Sequence, residues 1–505
     1  MKFNILAGLF AGVASLMAPA SHAKRAVMDK PNLLIVVTDE HSLRTLTIYK
    51  ELLIERGQPE RANPWGVIDG FCTPHIDRIG HEGAVLTSMY ASAPSCAPSR
   101  SSMFTGNFPH TAGVPTNGNG IAEDSQTIAK VLRKVGYKTG YAGKWHLEEG
   151  DPQPGWSPAK SFHGFDDNRY MFNSGHWKQL GFEADGTTGC VPIKNGKKAV
   201  QSATEKTYTT DWLTDRALEF IEENQEDPFL YVLSIPDPHT PDTVRAPYDT
   251  MYDPAAFHMP ESFTTTGMRD DFYPHWIRTK QRLPEGTTAE SMLPKVAQYH
   301  GMVKCIDDNV GRILSKLEST GILDDTIVVF SADHGEMFGE FGHQNKGVPY
   351  EGSACIPFVI RYPKRIAAGT VVDKAANTAD WMDTFLSLMQ VGASDFDPST
   401  TEGRNVAPLL TGGGADFEDM TISRFQTWAA AITDRYKLIF DTSKTQPWLI
   451  DLELNPGESR NYIDDPGHRA VAVKLAKELL AYGHRTKDDL VTVKLEPQIQ
   501  KIIKR

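Results

Sequence analysis

Residues 33–37 read Leu-Leu-Ile-Val-Val, an apolar run of strand length with no polar position on either face. A strand with one wet face alternates, whereas a strand buried on both faces reads as an unbroken run. This segment therefore suits a strand inside a sheet covered on both sides. It ends in Asp39-Glu40, and the same design recurs three times. Residues 137–142 lead into Gly143-Lys144-Trp145-His146, and residues 228–233 into Ser234 and then Pro238-His239. Residues 326–330 lead into Ser331-Ala332-Asp333-His334. Helical patterns lie between: 126–135 closed by Gly136, 212–221, and a stripe of Val303, Ile306, Val310, Ile313, Leu314 and Leu317. Such alternation predicts an α/β fold with a largely parallel sheet between helices. Ligands in these folds sit beyond the carboxyl ends of the strands, so the four polar clusters are expected on one sheet edge.

The chain has 505 residues and is 40% apolar, room for one large domain or two unequal ones. A Gly/Asp/Thr-rich connection spans 393–416 and includes Gly412-Gly413-Gly414. It predicts a main domain over 24–416 and a smaller one over 417–505, with a strand at 436–440 and a helix at 470–482. Stretches 151–205 and 236–295 lack periodicity and are expected to shape substrate access. Residues 1–23 read as a secretory signal: Lys2, an apolar run over 5–17, then Ser21-His22-Ala23. That run is too short to span a bilayer, so an exported protein, periplasmic or secreted and without a membrane span, is expected. The formal net charge of −12 makes nucleic acid and anionic membranes poor partners. An anionic substrate would need locally concentrated cations.

The run Ser95-Cys96-Ala97-Pro98-Ser99-Arg100, closed by Thr105-Gly106, predicts a short helix. Pro98 suits the first turn and Gly106 the stop. Cys96 and Arg100, four apart, share a face. A helix N-terminus with an added guanidinium is a prepared site for a tetrahedral oxyanion. Lys144 and His146, two apart after a strand, point to the same side if extended. His239 stands between Pro238 and Pro241, which exclude helix, and Lys346 lies in Asn345-Lys346-Gly347. Asp39, Asp333 and His334, with Glu40, form a carboxylate-dominated ligand set suited to Ca²⁺ or Mg²⁺.

The Cys-x-Pro-Ser-Arg run with its Thr-Gly resembles the signature of the type I sulfatases, in the alkaline phosphatase superfamily. Gly-Lys-Trp-His at 143–146, Pro31-Asn32, Asp307-Asp308-x-Val-Gly and Asp451-Leu452-Glu453-x-Asn-Pro-Gly-Glu extend the resemblance along the chain. It implies an alkaline-phosphatase-like sandwich with a smaller C-terminal α+β domain carrying an antiparallel sheet. It implies that a formylglycine-generating maturation enzyme oxidises Cys96 to formylglycine, whose hydrate is the nucleophile. One Ca²⁺, or Mg²⁺, would be held by Asp39, Glu40, residue 96, Asp333 and His334. Glu40 replaces the commoner second Asp, and its extra methylene changes its reach. Arg100, Lys144 and Lys346 would neutralise sulfate oxygens. His239, assisted by Lys346, would protonate the leaving alcohol, and His146 would take the proton of the second hydroxyl. The expected activity is hydrolysis of sulfate esters on a sulfated polysaccharide or its oligosaccharides, algal such as ulvan or glycosaminoglycan. A phosphonate or phosphate ester hydrolase of the same superfamily is the alternative. Arg169, Tyr170, His176, Trp177, Lys178, His275, Trp276 and Arg278 are offered for the sugar and its anionic groups. With Cys96 modified, Cys72, Cys190, Cys305 and Cys355 would permit two disulfides; buried free thiols are the competing expectation for Cys305 and Cys355.

Overall fold

The computed structural model describes residues 30–150, 159–173, 176, 178–182, 188–190, 200, 203–263, 282–443 and 446–505. The expected signal over 1–23, Trp177, His275, Trp276 and Arg278 lie outside the described residues, as does the Cys190 side chain.

The main sheet is built from β1 (Asn32–Asp39), β2 (Ala84–Leu86), β3 (Lys138–Lys144) and β4 (Asp167–Phe172). It is completed by β5 (Phe229–Pro238), β6 (Thr326–Ala332), β7 (Phe358–Arg361) and β8 (Thr370–Val372). The spatial order is β8-β2-β7-β6-β1-β5-β3-β4. Pairing is parallel except where β7 joins β6 and β2. Three of these strands, β1, β5 and β6, follow apolar runs of the sequence, and β3 follows the mixed run over 137–142. The other four are short or mixed in character, and β4 falls in a stretch that its sequence marks as irregular.

Around the sheet lie α1 (Thr47–Glu55), α2 (Pro74–His81), α3 (Cys96–Thr105) and α4 (Ile128–Lys134). They are joined by α5 (Thr209–Asn224), α6 (Ala289–Ser319) and α7 (Trp381–Leu388). The central strand shows why its sequence is apolar throughout. Leu34 and Val36 enter the core under α1, α2, α5 and α6, while Leu33, Ile35 and Val37 enter the core under α3, α4 and α7. Each fully buried aliphatic side chain contributes about 1.5–3 kcal/mol, so one charge placed in this run would remove the centre of the molecule. Helix α6 starts well before the stripe over 303–317. Thr288 and Ser291 cap its N-terminus reciprocally, and Pro294 lies inside its early turns.

Strands β9 (Thr421–Phe425), β10 (Trp428–Ile432), β11 (Tyr436–Asp441) and β12 (Trp448–Asp451) form an antiparallel meander. Trp428, Ala430, Ile432, Ile439 and Ile450 on one face join the main core. Ala429, Ala431, Leu438, Phe440 and Leu449 on the other pack with Leu475, Ala476 and Leu479 of α8 (Arg469–Thr486). This smaller α+β layer is thus fused to the main sheet through a shared core. Cys72, Cys96, Cys305 and Cys355 are free thiols, and Cys305 and Cys355 are buried; the two disulfides that the count permits are not formed by these four. No described helix is long and apolar enough to cross a membrane.

Candidate active site

Register alone brings the four polar clusters together. Val37 of β1 pairs with Ser331 of β6 and Ser234 of β5, and Ser234 pairs with Gly143 of β3. Beyond this row the four strands run out on the same edge of the sheet, which carries Asp39, Asp333-His334, Lys144 and His239. A bulge after Thr38 pairs Asp39 with Pro238 and so draws His239 toward β1. Gly143 has φ 105° and lies so close to β5 that a Cβ there would sit 1.8 Å from the Ser234 carbonyl oxygen. Only glycine permits that approach. Helix α3 begins at Cys96 and stops at left-handed Gly106, φ 69°, with Pro98 in its first turn.

Asp39, Cys96, Asp333 and His334 are all buried and offer donor atoms within 4.8 Å of one another. Cys96 Sγ lies 3.2 Å from His334 Nε2 and 3.6 Å from Asp39 Oδ1. His334 Nδ1 donates to the Gly335 carbonyl at 3.0 Å, which turns Nε2 inward. Burial and the Asp39 charge push the Asp333 carboxyl up from its ordinary value. Two carboxylates held together out of water repel, and a divalent cation relieves that repulsion. The donor set is hard to borderline and fits Ca²⁺ or Mg²⁺. Glu40 is not in this group. Its backbone is left-handed, φ 62°, and its carboxylate lies 3.1 Å from both Lys346 Nζ and His239 Nε2.

The cations surround the cysteine. Burial and Asp39 raise the Cys96 thiol, but Lys144, Lys346 and His334 outweigh them and hold it well below its ordinary value. Burial also raises Asp39, and there Lys144, His239 and His176 prevail and keep it strongly acidic. Lys144 pairs with Asp39. Lys346 Nζ sits 2.9 Å from His239 Nε2, while His239 Nδ1 lies 2.8 Å from the Thr240 carbonyl. Burial, His176 and Lys346 depress the His239 imidazole, whereas Cys96, Glu40 and Asp39 hold Lys346 charged against its own burial. The pair therefore carries one proton on the lysine, hydrogen-bonded to a neutral ring. His146 departs from the extended geometry expected of it, with φ 63°. Burial, Lys144 and Arg100 depress its ring, and its buried Nδ1 has no hydrogen-bond partner among the described residues. Arg100 grips protein through Nε and Nη1, while its buried Nη2 has no hydrogen-bond partner among the described residues. Its Nε donates to Asp333 Oδ2 at 2.8 Å, and its Nη1 to the Lys144 carbonyl at 2.6 Å and Ser234 Oγ at 2.7 Å.

Two loop residues offered for sugar recognition have other places. His176 Nε2 is 2.8 Å from Lys144 Nζ and 3.0 Å from Asp39 Oδ2, and its ring stacks on His239 at 3.8 Å. It is a member of the site itself, depressed to about 4 by burial and Lys144. Lys178 is buried against Asp237 and donates to the His239 carbonyl at 2.7 Å. Arg169 and Tyr170 stand on β4, where Arg169 is bonded to Asp167 and lies over the Tyr170 ring. Glu336 carries no motif. Its Oε1 accepts from Phe338 N and Asn345 N, both at 2.7 Å, folding the loop back so that Lys346 returns to the site.

A cysteine at a helix N-terminus, a cation-binding cradle and an adjoining lysine–histidine pair define a hydrolase of anionic esters. Residues 31–391 match the sulfatase family, and residues 339–485 match the family described as N-sulphoglucosamine sulphohydrolase, C-terminal. The chain belongs to the sulfatase family and is a sulfuric ester hydrolase. It is similar to an N-acetylglucosamine-6-O-sulfatase of Bacteroides thetaiotaomicron, 26% identical over 95% of this chain and 90% of the relative. Its fold matches a protein solved with its substrate D-glucosamine-2-N,6-O-disulfate, with TM-score 0.68, 23% identity, and coverage of 91% and 99% of the two chains. It also matches a phosphonate monoester hydrolase of Agrobacterium radiobacter, with TM-score 0.71, 20% identity, and coverage of 90% and 96%.

Proposed function

We propose that this chain is an exported sulfatase that removes O-sulfate from a sulfated polysaccharide or its oligosaccharides, using a formylglycine made from Cys96. One observation carries the reading: the residue-96 side chain meets Asp39 and His334 at the N-terminus of α3, with Lys144 and the Lys346–His239 pair beside it. With residue 96 oxidised, one hydroxyl of its aldehyde hydrate would give up its proton and attack sulfur as the bond from sulfur to the sugar oxygen breaks. Loss of the proton of the second hydroxyl would then break the carbon–oxygen bond to sulfate, releasing sulfate and restoring the aldehyde. Asp39, Asp333, His334 and residue 96 would hold a Ca²⁺, which when bound polarises oxygen. Lys144 balances the charge of the sulfate oxygens. Arg100 orients Asp333. Lys346 and His239 deliver their proton to the departing sugar oxygen. His146, neutral and with a free Nδ1, takes the proton of the second hydroxyl. Each proton-transferring group contributes roughly 10²–10⁴ in rate.

Sugar substrates are supported by the N-acetylglucosamine-6-O-sulfatase relative and by the disulfated glucosamine bound to the structural neighbour. The test is free sulfate measured by ion chromatography across a panel of sulfated glycosaminoglycan and ulvan oligosaccharides. The protein is co-expressed with a formylglycine-generating enzyme, and Cys96→Ala is the control. Release that disappears in the control supports the reading and names the sugar. No release, with the aldehyde seen by peptide mass and a phosphonate monoester cleaved instead, overturns it.

A further inference from the structure

Lys346 lies on the loop that follows β6; Ser353 Oγ holds Val348 N at 3.3 Å from within that loop, but residues 347, 349 and 351 are fixed from the C-terminal layer. Trp428 of β10 donates its indole N–H to the Gly347 carbonyl at 3.1 Å. Lys437 of β11, with no exposed side-chain surface, donates to the Pro349 carbonyl at 2.8 Å and to Glu351 Oε1 at 2.8 Å. It also donates to Glu458 Oε1 at 2.9 Å. Glu458 accepts the Glu351 backbone N–H at 2.8 Å through its other oxygen. Tyr90 and Arg61 of the main domain complete the surroundings of Glu351. Residues 347, 349 and 351 are thus each held from β10, β11 or Glu458, starting one residue after the lysine. A buried lysine is costly to place unless its partners need it. A network of this kind ordinarily closes a core around itself; here it closes on the carbonyls of one catalytic loop.

We propose that Trp428 and Lys437 are positioning residues for Lys346, so that the C-terminal sheet sets the distance from its ammonium to His239 and hence proton delivery to the leaving oxygen. The inference rests on the leaving-group role of Lys346 in the proposed function. It predicts a specific kinetic mark. A sugar alkoxide needs its proton, whereas 4-nitrophenolate leaves well without one. Loosening Lys346 therefore slows sugar-sulfate hydrolysis and spares hydrolysis of 4-nitrophenyl sulfate. A structural defect slows both alike.

The variant of choice is Trp428→Phe, which keeps an aromatic ring in the core and removes the N–H together with the five-membered ring that carries it; the cavity this leaves is a structural defect of the kind that slows both substrates alike. Lys437→Met is the stronger lesion, and Lys346→Ala is the reference. kcat and KM are measured on the sugar sulfate that the wild type accepts and on 4-nitrophenyl sulfate, and amide hydrogen exchange is followed over residues 345–350. Trp428→Phe should lower kcat on the sugar sulfate about tenfold, within the roughly 10²-fold that a 1 Å misplacement can cost. It should change 4-nitrophenyl sulfate hydrolysis less than about twofold and leave KM unchanged. Exchange at 345–350 should rise. Lys437→Met should show the same asymmetry, larger, and Lys346→Ala the largest. A Lys346→Ala asymmetry with a Trp428→Phe enzyme that is uniformly slowed, or unchanged, overturns this proposal alone. A Lys346→Ala enzyme without the asymmetry overturns the leaving-group reading and this proposal with it.

Discussion

Lys178→Met is the substitution that best separates the structure from the plain sequence. A lysine in a loop beside a glycan site invites a role in binding the sugar. The structure buries it completely against Asp237, itself completely buried. Removing one partner of a buried pair costs about 3–5 kcal/mol, because the other charge is left without compensation. Asp237 keeps two donors, the Tyr208 hydroxyl and the Thr210 hydroxyl, both at 2.6 Å. Methionine nearly preserves the length of the side chain. The loss should therefore sit at the lower end, about 3 kcal/mol. Lys178→Met/Asp237→Asn, which removes both charges, should recover more than half of it, since deleting both members of a buried pair is close to neutral. Urea-induced unfolding followed by tryptophan fluorescence measures both. Lys178 also holds the His239 carbonyl, so kcat should fall in the single variant while KM stays within about twofold. Wild-type stability with a raised KM would refute this account and return Lys178 to the sugar.

Cys96→Ala should abolish sulfate release while leaving the urea midpoint near that of the wild type, because residue 96 belongs to none of the apolar core clusters among the described residues. Chelation by EDTA should remove activity and lower the melting temperature, and added Ca²⁺ should restore both. The stabilisation should grow with the logarithm of the free ion concentration. Asp77 gives a pH prediction. Burial raises its carboxyl to about 6, above the roughly 3.9 of an unfolded chain. The folded state then binds a proton that the unfolded state releases, so this group's contribution is fully favourable below about pH 4 and is lost as pH rises through about 6. Asp77→Asn should add about 1–2 kcal/mol at pH 7.5 and almost nothing at pH 4 by urea unfolding; equal effects at both pH values would refute it.

The apolar runs of β1, β5 and β6 were legible because double-sided burial leaves no room for alternation, and with the mixed run of β3 they end in the side chains that meet at the site. The short strands β2, β7 and β8 were not legible. With three or four residues each, they are stabilised by their neighbours rather than by a pattern of their own. His176 shows the limit for the site. Its neighbours carry no periodicity, and only the fold brings it within 3.0 Å of Asp39. Glu40 shows another. A left-handed backbone sets its carboxylate beside the Lys346–His239 pair, a placement that its position next to Asp39 does not reveal. Arg100 was found by its motif, yet its partners are protein groups that a helix-face argument does not contain.

Cys96 is 1% exposed, at the edge of a sheet whose central strand pairs with segments ending at residues 238 and 332. No second enzyme can close around that side chain once those pairs exist. The oxidation proposed for it therefore has a deadline set by topology. The deadline cannot fall before residue 332 is made, and at about 5–20 residues per second the ribosome takes roughly 10–50 s to reach it from residue 96. The far-apart strands that make this site slow to assemble also keep it open long enough to be modified.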